Sequence, residues 1–232
     1  MDVHKPKLVH NWREFLKEYG IIVLGVLTAL LAEQAVQSFE WRHKVEAAIA
    51  DMDNELSVGD GPQAYTRLAI DKCVRFELDA IRDAVERGDR AGSRARIDGL
   101  WLPRRTYDYL AREAAAASDV SSHMPPDRML QYRIAYEVMP NMNRLAEREL
   151  SDQARLQALP RNGGPLETVE KLAAIDAVEA LRADNDEMTR EARFMLRRLR
   201  IIGLGLDRTS VARNLGGVPR QYAGCLALSP RP

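Results

Sequence analysis

The chain has 232 residues, with 34 Lys and Arg against 34 Asp and Glu, so its formal net charge at pH 7 is zero. Nothing in that balance points to a strongly basic surface for nucleic acid. Aromatic residues make up only 6%, and Ala, Leu, Arg and Glu dominate, a bias that favours helix over strand. The expected fold is all-α: one N-terminal transmembrane helix continuing into a helical-bundle domain with a long heptad-patterned C-terminal helix.

Residues 20–32 read Gly-Ile-Ile-Val-Leu-Gly-Val-Leu-Thr-Ala-Leu-Leu-Ala, without a charge. A spanning helix needs about 20 mostly apolar residues, and the flanks supply the remainder. Tyr19 precedes the run, and Ala35, Val36 and Phe39 extend it past Glu33, Gln34 and Gln37. Trp12 and Trp41 would stand roughly 43 Å apart along a helix, close to the bilayer thickness including head groups, and aromatic rings favour those interfaces. The run is read as a transmembrane helix over residues 19–40. A cleaved signal peptide would need a short basic n-region and a small-x-small site, whereas Glu14 and Glu18 occupy the flank here. A buried helix of a soluble domain is the other alternative.

Lys5, Lys7, Arg13 and Lys17 precede the run, and only Arg42 and Lys44 closely follow it. The side richer in Lys and Arg stays cytoplasmic. Residues 1–18 are therefore expected in the cytoplasm and residues 41–232 outside it, which in a bacterium means an inner-membrane protein with a periplasmic domain. Gly25 and Ala29, with Thr28 and Ala32 beside them, form a small-residue face on which a second copy or another membrane protein could pack. Glu33 sits near the outer end of the span, where an ionisable group faces protein or water, or reaches the interface.

Val45, Ile49, Met52 and Leu56 continue the same helix on one face. Val-Gly-Asp-Gly-Pro at 58–62 is expected to stop it. A second helix is expected over 63–87, burying Ile70, Val74, Leu78, Ile81 and Val85, followed by a polar connection over 88–103. A third helix is expected over 105–117 and a fourth over 127–159, kinked or split at Pro140. Residues 161–165 read as a turn, with Pro165 at a helix start.

In the last long helix Val178, Leu181, Asn185, Met188, Ala192, Met195, Leu199, Ile202 and Leu206 alternate spacings of three and four, a heptad seam. Asn185 is its polar member and takes an a position, where a lone Asn can fix the register of a parallel dimer. Packing within the chain, with Asn185 bonded to a neighbouring helix, is favoured, because the other amphipathic helices also need a partner. Acidic residues fill the first half of this helix. Arg190, Arg193, Arg197, Arg198 and Arg200 fill the second, an order that suits the helix dipole. The choice lies between a salt-bridged solvent face and an Arg patch for lipid phosphates or an acidic partner, and the first is favoured.

Cys73 and Cys225 form an even pair that can bridge in an oxidising compartment. Closing so long a loop is worth about 5 kcal/mol in the chain-entropy treatment. Two free thiols in a cytosolic domain are the alternative. His4, His10, His43 and His123 show no metal-ligand spacing, and no Walker loop, HExxH, CxxC or GxSxG occurs. No catalytic residue, cofactor, metal or small-molecule ligand is expected, and the partners expected are the lipid bilayer and a protein packed on the span.

Trp12-Arg13-Glu14-Phe15 through Glu18, Gly25-Val26-Leu27-Thr28-Ala29-Leu30, Glu33-Gln34 and Trp41-Arg42 together resemble the N-terminus of a bacterial family of single-span membrane proteins. That family is common in alphaproteobacteria and is defined as a domain of unknown function. Arg105-Thr106-Tyr107, Pro125-Pro126, Tyr132 and Tyr136 are similar to its middle part. The resemblance implies location and brings no activity with it. The function expected is that of a membrane-anchored structural or interaction protein, an accessory subunit of a cell-envelope complex. The alternative is a periplasmic helical sensor signalling through its span to a separate partner, since residues 1–18 leave no room for an output domain.

Overall fold

The structure is a computed structural model and describes residues 12–226. His4, Lys5, Lys7 and His10 lie outside the described residues, as does the side chain of Glu14. Every regular element among the described residues is helical. The chain divides into two compact units, Met1–Ala47 and Ala48–Pro232.

The first unit is most of helix α1 (Trp12–Asn54). Its apolar side chains stand in the open: Ile21 is 71% exposed, Leu24 66% and Leu31 65%. It is long and apolar enough to cross a membrane. The small-residue face is uncovered among the described residues. A Cβ added at Gly25 would meet nothing within 4 Å, and Thr28, Ala29, Ala32 and Glu33 are exposed. Thr28 turns its hydroxyl back to the Leu24 carbonyl at 2.7 Å, and Glu33 accepts from Gln37 at 3.3 Å.

The expected stop at 58–62 does not occur. A π-helical segment (Glu55–Asp60) joins α1 directly to α2 (Gly61–Glu86). In an α-helix Pro62 would clash with the carbonyl four residues back and leave it without a donor. The wider π turn, in which the Gly61 N–H reaches the Leu56 carbonyl, places Pro62 at the first positions of α2, where a missing N–H is tolerated. Gly61 keeps ordinary helical dihedrals (φ −58°, ψ −49°), so close approach is what requires a glycine there. A Cβ on it would lie 2.5 Å from Leu206 Cδ2, 2.6 Å from the Leu56 carbonyl and 2.8 Å from Leu199 Cδ1.

The second unit is a bundle built around α2, α6 (Met139–Gln157) and α7 (Thr168–Ile202), with α7 packed on both others. Ile70, Val74, Leu78, Ile81 and Val85 of α2 are fully buried and meet Ala174, Ala177, Val178 and Leu181 of α7 in one core. Val178, Leu181, Asn185, Met188, Ala192, Met195 and Leu199 are all buried within the chain, and Ile202 is half-buried. Leu206 is not on the helix, because Gly203 ends α7 in the left-handed region at φ 88°, a conformation that glycine adopts without steric penalty. Leu206 reaches the seam's far end from the connection beyond.

The stretch 88–103 is not a mere connection. It contains α3 (Arg90–Gly99), capped by Asp89, whose carboxylate accepts from the Gly92 N–H at 2.9 Å. Irregular backbone then runs to α4 (Leu110–Ala117), which starts later than position 105. The expected fourth helix is two, α5 (Pro126–Tyr136) and α6, parted just before Pro140. The helix placed at Pro165 starts at Thr168. The tail is also largely helical, with α8 (Arg208–Gly216), a 3₁₀ turn (Arg220–Tyr222) and α9 (Ala223–Leu226). Cys225 on α9 and Cys73 on α2 stand at disulfide distance, with Cα atoms 5.9 Å apart.

Gly61→Ala is expected to lower unfolding stability by about 1–3 kcal/mol, because two leucines and a carbonyl must yield. Gly59→Ala, where an added Cβ meets nothing within 4 Å, is expected to be neutral or stabilising by up to about 1 kcal/mol. Paired denaturant titrations read both.

Candidate functional site

Charged residues sit on the core faces of α2 and α6. Arg67 lies one helical turn before Ile70, and Glu149 lies on the same face of α6 as Leu145 and Leu156. Both side chains are buried and form an ion pair with each other. Arg67 also donates to Asn185 Oδ1 on α7 at 3.2 Å. The Asn185 amide passes the chain of bonds on, donating to Asp71 Oδ1 at 2.8 Å, which Thr189 also reaches at 3.0 Å. Arg75 closes the outer end, at 3.1 Å from Asp71 and 2.8 Å from Asp186. The polar member of the heptad seam is thus bonded to α2, within its own chain.

A second group of polar side chains flanks the π-helical segment. Its carboxylates accept the free backbone N–H groups of the irregular stretch before and into α4. Asp60 Oδ1 takes the Asp108 N–H at 3.1 Å, and Glu55 Oε2 takes the Ala111 N–H at 3.0 Å. Asn143 on α6 holds Tyr107 on both sides, accepting from its N–H at 2.8 Å and donating to its carbonyl at 2.9 Å. Gln153 donates to the Leu100 carbonyl at 2.9 Å, and the Trp101 N–H donates to the Tyr222 hydroxyl at 3.1 Å. Side chains thereby supply what secondary structure does not.

The two groups meet at Tyr107, whose buried phenol lies in the fields of Arg67, Asp60 and Glu149 and is pushed up by burial. Asp60 is pushed from 3.8 to about 8, chiefly by burial and further by Glu55. At neutral pH it therefore holds a proton. Its Oδ2 is buried without a hydrogen-bond partner among the described residues. Burial likewise pushes the Glu149 carboxyl up, against the pull of Arg67. Tyr136, donating to the Met52 carbonyl at 3.5 Å, is raised by burial and by Glu55 beside it.

Glu149 and Gln153 also line a cleft of about 200 Å³, closed by Leu102, Leu150 and the stretch 103–106. It is mainly apolar, with exposed Arg104 and Arg105 on the stretch that closes it. No group of three or more His, Cys, Asp or Glu among the described residues could hold a metal ion.

The residues singled out in the sequence do not share one place. The span residues belong to the first unit, the seam runs along α7, and the cysteines join α2 to the tail. Arg67, Asp60 and Glu149 were not singled out. The available signal was a charge interrupting an apolar stripe, at Arg67 ahead of Ile70 and at Glu149 between Leu145 and Leu156. Compared with protein families, with curated proteins and with solved structures, the chain matches none.

The raised Asp60 has a sign that can be tested. Between the unfolded value of 3.8 and the folded value of about 8, the folded chain holds a proton that the unfolded chain has lost. Stability contributed by this group is complete below pH 4 and is lost as pH rises towards 8. Asp60→Asn is therefore expected to gain on the wild type steadily from pH 4 to pH 8 in parallel urea titrations. A constant difference across that window would place the charge elsewhere.

Proposed function

We propose that the protein is a membrane-anchored interaction protein, an accessory subunit of a cell-envelope complex, held by residues 19–40 in the bacterial inner membrane with its helical bundle in the periplasm. The observation that carries the reading is the exposure of α1. Large apolar side chains from Ile21 to Phe39 stand 50–71% exposed, apart from a half-buried Val23, on a helix long enough to span. An aqueous setting would penalise that surface at about 25 cal/mol per Å², and a bilayer removes the penalty. The cysteine pair at disulfide distance fits an oxidising compartment. The uncovered face of Gly25, Thr28, Ala29 and Ala32 is suited to a second helix, from another copy or another membrane protein.

A sensor is the second reading, and the continuity of the helix favours it. The chain passes from α1 to α2, the central helix of the bundle, through a π-helical segment with no loop between. π-helical turns recur at functional positions, and this one carries Asp60 and Glu55. In this reading a signal received in the bundle passes along that helix towards the span.

A phosphatase fused after Pro232 is expected to be active outside the cytoplasm, and one fused ahead of Trp12 is expected to be inactive. Gly25→Leu or Ala29→Leu is expected to weaken crosslinking to the partner on the span, because a bulky side chain holds the backbones apart. The reverse reporter pattern would overturn the periplasmic placement and remove the support that it lends to the disulfide.

A further inference from the structure

The cleft beside α6 lies wholly within the second unit, and its polar groups are sorted by depth. Leu102, Ala146 and Leu150 supply apolar wall to a space of about 200 Å³. Glu149 and Gln153 line it while only 3% and 8% exposed, so they stand at its floor. Glu149 gives Oε1 to Arg67, and its Oε2 accepts no hydrogen bond among the described residues. Gln153 donates its amide N–H to the Leu100 carbonyl, and its Oε1 likewise accepts none. Neither oxygen is among the sealed, unpartnered atoms of the fold, so both open onto the cleft. The floor therefore offers acceptors that an O–H or N–H can answer.

The mouth has the opposite character. Arg104, Arg105 and Thr106 are exposed there. Neither guanidinium is within ion-pair distance of a carboxylate among the described residues. The backbone N–H groups of these three residues make no hydrogen bond among the described residues. The stretch is nevertheless pinned on both sides, by Trp101 on the Tyr222 hydroxyl and by Tyr107 on Asn143. Donors are thus held at the mouth, acceptors at the floor, and apolar wall lies between. A few convergent polar groups in an apolar cleft are the pattern of a small-molecule site.

We infer that this cleft binds a small amphipathic acid, with its carboxylate against Arg104 and Arg105, a compact apolar body between Leu102 and Leu150, and a hydroxyl or N–H at the inner end donating to Glu149 and Gln153. Guanidinium groups present paired N–H donors that match a carboxylate. Charge fixes the direction of entry, because the reversed molecule would set its carboxylate beside Glu149. The space is smaller than the usual site for a drug-sized ligand, which limits the body to a single ring or a short branched chain. Every residue named belongs to the second unit, so the inference does not depend on the anchoring proposed above.

The probe is 4-hydroxyphenylacetate, which carries a carboxylate, a ring and a phenolic O–H in that order. Its binding to the full chain in nanodiscs is titrated by saturation-transfer NMR, with empty discs as the blank. Phenylacetate removes the inner donor, and tyramine replaces the carboxylate with an ammonium. The probe is expected to saturate, phenylacetate to bind about threefold more weakly or worse, and tyramine about tenfold more weakly or worse. Arg104→Ala combined with Arg105→Ala, both at exposed positions, is expected to weaken the probe by about tenfold. Leu150→Trp, at a position 41% exposed, is expected to fill the cleft and abolish binding while the unfolding midpoint stays near that of the wild type. The absence of saturable binding overturns the site. Binding that survives Leu150→Trp unchanged places the probe elsewhere and overturns it equally. Equal affinity for phenylacetate overturns the reading of the floor, and equal affinity for tyramine overturns the choice of an acid.

Discussion

Arg67 is the constraint around which the bundle is arranged. It is 3% exposed, so the charge of its guanidinium must be answered inside. Glu149 on α6 and Asn185 on α7 answer it. The three helices that share the core are thereby fixed in one register relative to each other. Removing one partner of such a pair strands the other charge, at a cost of about 3–5 kcal/mol, whereas an apolar replacement of both is often tolerated. The pair therefore contributes more to how the helices are aligned than to how tightly they are held. Apolar contact along α2 and α7 supplies the cohesion.

The π-helical segment solves a second problem of the same kind. The irregular stretch between α3 and α4 lies against the bundle and cannot leave its N–H groups unpaired. Widening the helix at 55–60 presents Glu55 and Asp60 to that stretch, and they take the N–H groups of Ala111 and Asp108. The same widening accommodates Pro62 and brings Gly61 against Leu199 and Leu206. Burial of Asp60 then pushes its carboxyl up to about 8. A structural device for pairing backbone groups has in this way produced the most strongly shifted carboxyl described in the domain.

Much of this was legible in the sequence, for identifiable reasons. The apolar stripe of α2 and the seam of α7 follow helical periods closely, and their residues are buried. Cys73 and Cys225 stand together as an even pair would in a bridged fold. Residues 58–62 misled because glycine and proline punctuate most helices, and nothing local reveals that a π turn will absorb the proline. The α3 helix was hidden by its glycines and arginines, although Asp89 is an ordinary N-cap. The heptad spacing ran on to Leu206 across Gly203, whose left-handed backbone ends the helix without disturbing the period. Arg67 and Glu149 were passed over because charges are normally placed in solvent, and their partners are far away in sequence.

Retention of the intact chain in membranes tests the central claim of the functional account, that residues 19–40 anchor the protein, most directly. After alkaline carbonate treatment of isolated membranes, the wild-type chain is predicted to stay in the pellet. A variant carrying Leu24→Lys and Leu31→Lys, with the helical circular dichroism and cooperative unfolding of its bundle intact, is predicted to pass into the supernatant. Release of the wild-type chain by carbonate would contradict the account, and the exposed apolar surface of α1 would then have to be covered by protein instead of lipid.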